Sequence, residues 1–276
     1  MSYIELNHEF TSSAGTIKHT SIGNGPDLIL VHGTPFNAII WTDVVKRLSK
    51  NYCLHLLDLP GYGRSDKFEG QDVRLRSFAR VVKEFSTHKN LINPILIGHD
   101  FGAASVLGAH LVEELSVKAI AIIDGVVLSP WGTTFSRHVQ QHEETFANVP
   151  EYVHLAVLEA HIKTASSRII DTDLMNGLLA PWRDEEGQKA YYRQVGQYDY
   201  AFTADLEKLY PTLQVPSLVL WGEEDQWVNI SEGRRFHAML NNSDFEPLPD
   251  AGHLSMIDVP NLLSDKLENW LHQVLR

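Results

Sequence analysis

Leu96-Ile97-Gly98-His99-Asp100-Phe101-Gly102-Ala103-Ala104 is the stretch on which the reading of this chain turns. An apolar run enters a Gly-x-Asp-x-Gly turn, and small residues then open a helix. A sharp strand-to-helix turn forces its central residue into strained backbone geometry and exposes its side chain. The flanking glycines, with Ala103 and Ala104, let strand and helix approach closely. Such a turn usually presents a serine hydroxyl, whereas here it presents the carboxylate of Asp100. Gly-x-Asp-x-Gly alone says little. After a buried strand and before a helix, it marks a candidate nucleophile.

Outward from this turn the chain alternates. Asp27 leads into Leu28-Ile29-Leu30-Val31, a continuous apolar run of the kind found in strands covered on both faces. Similar runs recur at 54–57, 95–97, 119–123 and 218–221, and two shorter strands are expected at 3–10 and 16–21. Phe78, Val81, Val82 and Phe85 share one helix face, and Leu262, Leu263, Leu267, Trp270, Leu271 and Val274 mark a last helix. Strands alternating with helices predict an α/β fold with a mostly parallel, doubly wound sheet. The alternation stops between about 129 and 209, where aromatic residues and helical patches replace buried-strand runs. Residues 129–209 are therefore expected to be an inserted helical cap. The core domain would comprise residues 1–128 and 210–276.

Bulk properties remove several functions. A net charge of -12 disfavours nucleic acid and anionic membrane surfaces as partners, leaving a small molecule as the expected one. No stretch reaches the roughly 18 apolar residues of a membrane span. The N-terminal MSYIELNHEF lacks the basic and apolar regions of a secretion signal. The single cysteine, Cys53, forbids an intrachain disulfide and suits a reducing, cytoplasmic setting. Neither a metal nor a cofactor is expected. The oligomeric state is left open.

Two further motifs lie at strand ends. Val31-His32-Gly33-Thr34-Pro35 closes an early strand, with His32 read as a brace for its loop. Near the C-terminus, Leu220-Trp221-Gly222-Glu223-Glu224-Asp225 enters an acidic loop, and Asp250-Ala251-Gly252-His253 follows a further short strand. The chain order is nucleophile, acid, histidine. Glu223 and Glu224 read as solvated loop charges.

These motifs, with Asp58-Leu59-Pro60-Gly61-Tyr62-Gly63-Arg64-Ser65-Asp66-Lys67, resemble the α/β-hydrolase superfamily over about two thirds of the chain. The Asp nucleophile resembles the group of haloalkane dehalogenases, epoxide hydrolases and fluoroacetate dehalogenases. The resemblance implies the α/β-hydrolase fold and a catalytic set of Asp100, His253 and Asp225. Asp124, at the end of the preceding strand, is a rival acid. It also implies an oxyanion hole made by the backbone N–H groups of Thr34 and Phe101. Dehalogenases of this group carry Trp directly after the nucleophile, and fluoroacetate dehalogenases carry Arg there. This chain has Phe101, which offers no N–H from its side chain.

The chemistry follows from the residue types. A carboxylate needs no base to deprotonate it at pH 7 and can attack an electrophilic carbon to form an ester. His253 would then activate a water to hydrolyse that ester, with the acid fixing the imidazole. The expected activity is cleavage of a carbon–halogen or carbon–oxygen bond of a small apolar substrate, as in haloalkane dehalogenases, with epoxide hydrolysis as the alternative. A lyase acting on a β-lactone or ester, and a non-catalytic binding protein on the same fold, are further alternatives. In the cap, Trp131 or Trp182 could hold a halide, and Tyr191 or Tyr192 could protonate a leaving oxygen. Ordinary aromatic packing is the competing account of each.

Overall fold

The computed structural model of the chain describes residues 3–276. Eight strands form one sheet: β1 (His8–Ser12), β2 (Gly15–Ile22), β3 (Asp27–Val31), β4 (Cys53–Leu57), β5 (Ile95–His99), β6 (Ala119–Ile123), β7 (Ser217–Gly222) and β8 (Ser243–Leu248). Their spatial order is β1-β2-β4-β3-β5-β6-β7-β8. β2 is antiparallel to β1 and β4, and all other pairings are parallel. The central strands β5, β6 and β7 are buried along their whole length. Their apolar runs follow from that position, since a parallel strand between two helical layers has no solvent face. β8 tolerates Pro247 because it is an edge strand, where a missing N–H leaves no ladder bond unmade.

One strand begins later than the sequence suggests. Residues 3–7 lie outside β1, which starts at His8. They turn instead towards the inserted helices, where the Tyr3 hydroxyl donates to Asp171 Oδ1 at 3.3 Å.

Helices α1 (Thr42–Leu48), α2 (Leu75–His88) and α3 (Phe101–Leu111) follow successive strands. Between β6 and β7 come six consecutive helices: α4 (Thr134–Gln141), α5 (Glu143–Ala147), α6 (Glu151–Lys163), α7 (Thr172–Leu179), α8 (Glu185–Gly196) and α9 (Tyr200–Leu209). The chain ends with α10 (Ile230–Met239), α11 (Ser255–Asp258) and α12 (Pro260–Val274). α2 packs on α3, and α1 packs on α11 and α12. The face of α2 formed by Phe78, Val81, Val82 and Phe85 is fully buried, and Leu263, Leu267, Trp270 and Leu271 of α12 are likewise inside. Among the described residues, no helix is long and apolar enough to cross a membrane.

The inserted helices have legible starts. Thr133, Asp171, Asp184 and Asp199 each accept a backbone N–H of the helix they precede. The insertion is tied to the sheet by polar contacts that sequence spacing does not reveal. The Trp182 indole donates to the carbonyl of Pro35 at 3.0 Å, and the side-chain amide of Gln197 donates to that of Gln71 at 2.9 Å.

Candidate active site

Asp100 sits between β5 and α3 with φ 52° and ψ -116°, a conformation that costs energy for any residue with a Cβ. Close packing enforces it. A Cβ on Gly102 would lie 2.2 Å from the carbonyl oxygen of Val31, and one on Gly98 would lie 2.4 Å from that of Gly102. The strained turn lifts the Asp100 side chain off the end of β5. There Oδ1 accepts the Thr34 N–H at 2.7 Å. The Phe101 N–H belongs to the first residue of α3, where no intrahelical acceptor exists. Of the two N–H groups expected from the sequence, that of Thr34 is hydrogen-bonded to the Asp100 carboxylate.

The loop carrying Thr34 is braced by His32. Its Nδ1 donates to the Gly33 carbonyl at 2.9 Å, and its Nε2 accepts the Leu59 N–H at 2.9 Å. Burial pushes the His32 pKa down, so the ring is a neutral strut. Thr34 Oγ1 donates to Gln194 Oε1 at 3.0 Å, which links this loop to α8.

His253 faces Asp100 from the loop after β8. Its Nδ1 is 2.9 Å from Asp225 Oδ2, and its Nε2 is 3.4 Å from Asp100 Oδ2 with no hydrogen-bond partner among the described residues. Asp225 is itself held, because Oδ1 accepts the N–H groups of Trp227 at 2.8 Å and Val228 at 2.9 Å. Burial opposes protonation of His253, but the Asp225 charge, together with Asp100, prevails and raises its pKa well above the ordinary histidine value. Asp124 is occupied differently. Its Oδ1 accepts the Gly222 N–H at 2.6 Å, and its Oδ2 accepts the Ser255 hydroxyl. Burial and the nearby Asp225 charge hold its carboxyl well above the usual range.

A cavity of about 30 Å3 opens over Asp100. That is room for about two waters, so a substrate must be small or the helices above must move. Thr34, Phe101, Tyr191, Tyr198, His161 and Trp227 contribute to its wall, alongside Trp131. The wall holds no lysine or arginine. Burial raises the pKa of Tyr191 and of Tyr198 well above the ordinary tyrosine value, so both remain protonated donors.

Of the four cap residues expected at the site, Trp131 and Tyr191 line this cavity, while Trp182 and Tyr192 do not. The Trp131 indole N–H donates to Thr203 Oγ1 at 2.9 Å, and that of Trp182 donates to Pro35. Both indole donors are thus engaged by protein acceptors. The Tyr192 hydroxyl lies 3.0 Å from His154 Nδ1, and His154 Nε2 lies 3.0 Å from the Trp182 carbonyl. This chain of contacts is internal to the inserted helices. His161, Tyr198, Trp227 and Gln194 were not singled out from the sequence. Only Trp227 carries a local signal, standing two residues beyond Asp225.

Among the described residues, Asp27, Cys53 and His55 are the group with potential metal ligands close together. They lie at the start of β3 and in β4, away from the strand ends that carry Asp100. His55 is already engaged on both nitrogens, by Ser21 Oγ at 2.8 Å and Asp27 Oδ1 at 2.9 Å.

Comparison with known proteins agrees with this geometry. The description "Alpha/beta hydrolase family" matches residues 28–265. The Bacillus subtilis hydrolase YugF is 27% identical over 258 residues, which are 88% of this chain and 89% of YugF. An α/β-hydrolase-fold protein from Burkholderia ambifaria superposes with a TM-score of 0.94 at 30% identity, covering 97% of this chain and 99% of that one. A haloalkane dehalogenase from Bradyrhizobium elkani, DbeA, superposes with a TM-score of 0.82 at 16% identity, covering 97% of each chain. At that identity the likeness is one of fold. An eight-stranded, mostly parallel sheet, a strained strand-to-helix turn on β5 and a family match spanning most of the sequence lead to one conclusion: the chain belongs to the alpha/beta hydrolase family.

Proposed function

We propose that this protein is a hydrolase that opens a carbon–oxygen bond, of the epoxide type, through an ester on Asp100. The observation that carries the reading is the setting of that carboxylate. One oxygen accepts the Thr34 N–H, and the other faces His253 Nε2 at 3.4 Å. Residues 129–209 act as the cap over a core of 1–128 and 210–276, contributing the tyrosines of the cavity.

In the first step an Asp100 oxygen attacks the less hindered epoxide carbon and the carbon–oxygen bond breaks. The released oxygen takes a proton from Tyr191 or Tyr198. Water then gives a proton to His253 and attacks the carbonyl carbon of the ester. The oxyanion forms between the Thr34 and Phe101 N–H groups, where fixed donors act strongly. Collapse expels the alcohol oxygen, which takes the proton back from His253, and the proton that water has left on the Asp100 carboxyl passes to the tyrosinate, restoring the phenol. The products are a diol and the original carboxylate. Asp225 is the acid that orients His253, supported by the 2.9 Å contact to Nδ1, while both oxygens of Asp124 are occupied elsewhere.

A carbon–oxygen bond is favoured over a carbon–halogen bond by the donors of the cavity. A departing halide takes no proton and keeps its full charge, which indole N–H groups beside the nucleophile would hold. Phe101 offers none from its side chain, and the indoles of Trp131 and Trp182 are engaged. An epoxide oxygen leaves as a hydroxyl, which two protonated tyrosines suit. The absence of a cation from the wall favours an uncharged substrate.

Asp100→Asn provides the test. Asn tolerates positive φ and its amide oxygen can still accept the Thr34 N–H, so folding is retained. Epoxide turnover is expected to fall by more than about 10³-fold. Single-turnover hydrolysis in heavy-oxygen water should place the label first in Asp100, and label appearing only in the diol would refute the covalent route.

A further inference from the structure

His161 is a half-buried histidine whose surroundings differ from those of His32, His55 and His154. Its ring lies in the wall of the cavity that holds Asp100. His32, His55 and His154 have both ring nitrogens paired. No side-chain partner is found for His161 among the described residues. His19 shares that lack, but it is packed against Phe10, Phe85 and His88, outside the cavity. A half-buried imidazole in a cavity wall, with no protein partner, can bond a ligand without first breaking an internal hydrogen bond.

The ring is nonetheless held firmly. It stacks on Trp227 at a centroid distance of 4.4 Å and 12° between planes, and meets Phe135 at 4.8 Å. Trp227 is itself fixed by its indole N–H, which donates to Thr164 Oγ1 at 2.8 Å, and by its backbone N–H on Asp225. Its other neighbours include His253, at 5.0 Å. Burial, with the charge of His253, lowers the His161 pKa to about 4. At neutral pH the ring is therefore uncharged, with one donor and one acceptor. Such a group, fixed in a cavity wall that holds no lysine or arginine, suits a neutral polar atom of a bound molecule.

We infer that His161 is a specificity residue, which donates a hydrogen bond to a second oxygen of the substrate, so that the preferred substrates are uncharged epoxides bearing an ether, hydroxyl or carbonyl oxygen beside the ring. The inference rests on the epoxide reading above. Tyr191 and Tyr198 serve the ring oxygen, and His161 serves the neighbouring one. A hydrocarbon epoxide of the same length leaves the imidazole unpaired.

The test compares glycidyl methyl ether with 1,2-epoxypentane, which differ by one oxygen in place of one methylene. The native enzyme should prefer the ether in kcat/KM by about 10- to 100-fold, the penalty for an unsatisfied buried donor. His161→Phe, which keeps an aromatic ring to stack on Trp227, should bring the ratio of the two kcat/KM values to about one. His161→Gln, which keeps a donor, should restore part of it. His161→Leu gives the same comparison if the Phe variant does not fold. Equal rates on both epoxides in the native enzyme, or a preference that survives in a folded Phe or Leu variant, would overturn the assignment of His161 and leave the epoxide reading intact. Failure of the native enzyme to hydrolyse either epoxide would remove that reading and this inference with it.

Discussion

Nε2 of His253 lies 3.4 Å from Oδ2 of Asp100, facing it without a hydrogen bond. The contact has a consequence for timing. While Asp100 is a carboxylate, its charge is one of the supports that raise the His253 pKa, behind that of Asp225. In the proposed reaction, forming the ester removes that charge. The imidazole then holds its proton less tightly and becomes a better base at the step that needs one.

The first prediction follows from this division of labour. His253→Gln should leave attack by Asp100 possible and slow ester hydrolysis by about 10²–10⁴-fold. Intact-mass measurement after mixing with a true substrate should show the protein heavier by one substrate molecule. Slow turnover with no adduct at any time would mean that His253 does not act on the ester.

The depressed pKa of His161 predicts an acid sensitivity. The group falls from an ordinary 6.5 to about 4 on folding. Between those values the unfolded chain binds a proton that the folded one does not. The stability it contributes is fully present above about 6.5 and is lost as pH falls towards 4, at about 1.4 kcal/mol per unit and about 3 kcal/mol in all. Urea unfolding from pH 7 to pH 4.5 should therefore be less steeply pH-dependent in His161→Phe than in the native protein. Parallel curves would show that His161 is solvated as freely in the folded state as in the unfolded one.

The elbow predicts a stability effect separable from chemistry. Gly102→Ala places a Cβ 2.2 Å from the Val31 carbonyl oxygen, and both are backbone features that cannot turn aside. A cost of about 3 kcal/mol is expected, with a fall in Tm on the order of 10 °C. Thermal unfolding followed by circular dichroism measures it. A Tm within 2 °C, as a threshold of about half a kcal/mol, would show that β3 and α3 can separate at no cost.

How far the sequence carries depends on the distance over which each feature is decided. The elbow was legible because Gly98, Asp100 and Gly102 lie within five residues and their spacing is itself the geometry. The sheet was legible because burial on both faces writes continuous apolar runs into β5, β6 and β7. Cap residues behave otherwise. Whether Trp131 offers its indole N–H to the cavity depends on Thr203, 72 residues away, and the fate of Trp182 depends on Pro35, 147 residues away. Tyr191 and Tyr192 are adjacent in the chain, yet only the first lines the cavity, because successive helical residues point in different directions. His161 stood out only once Trp227 was seen stacked against it. At the N-terminus, residues 3–7 alternate like a strand but leave the sheet, a choice made by the helices they meet.

Phe101 decides the remaining question, whether a halide can leave from this site. Its ring meets Trp131 edge to face at 5.1 Å and Tyr198 at 5.3 Å, and it is only 3% exposed. A donor absent from a dry site costs about 2.7–4 kcal/mol. Fitting an indole among those rings costs about 1–3 kcal/mol of crowding. The donor is worth slightly more than the strain, so Phe101→Trp should raise bromide release from a short bromoalkane by about tenfold, from a low native rate. Epoxide hydrolysis should not rise, because in the proposed reaction the leaving oxygen is protonated by a tyrosine and gains nothing from an indole. Halide release is read with an ion-selective electrode, and diol formation by chromatography. Rapid halide release by the native enzyme, unchanged when Trp131 and Trp182 are replaced by Phe, would show that the site supports a leaving halide without any of these indoles, and the preference for a carbon–oxygen bond would fall.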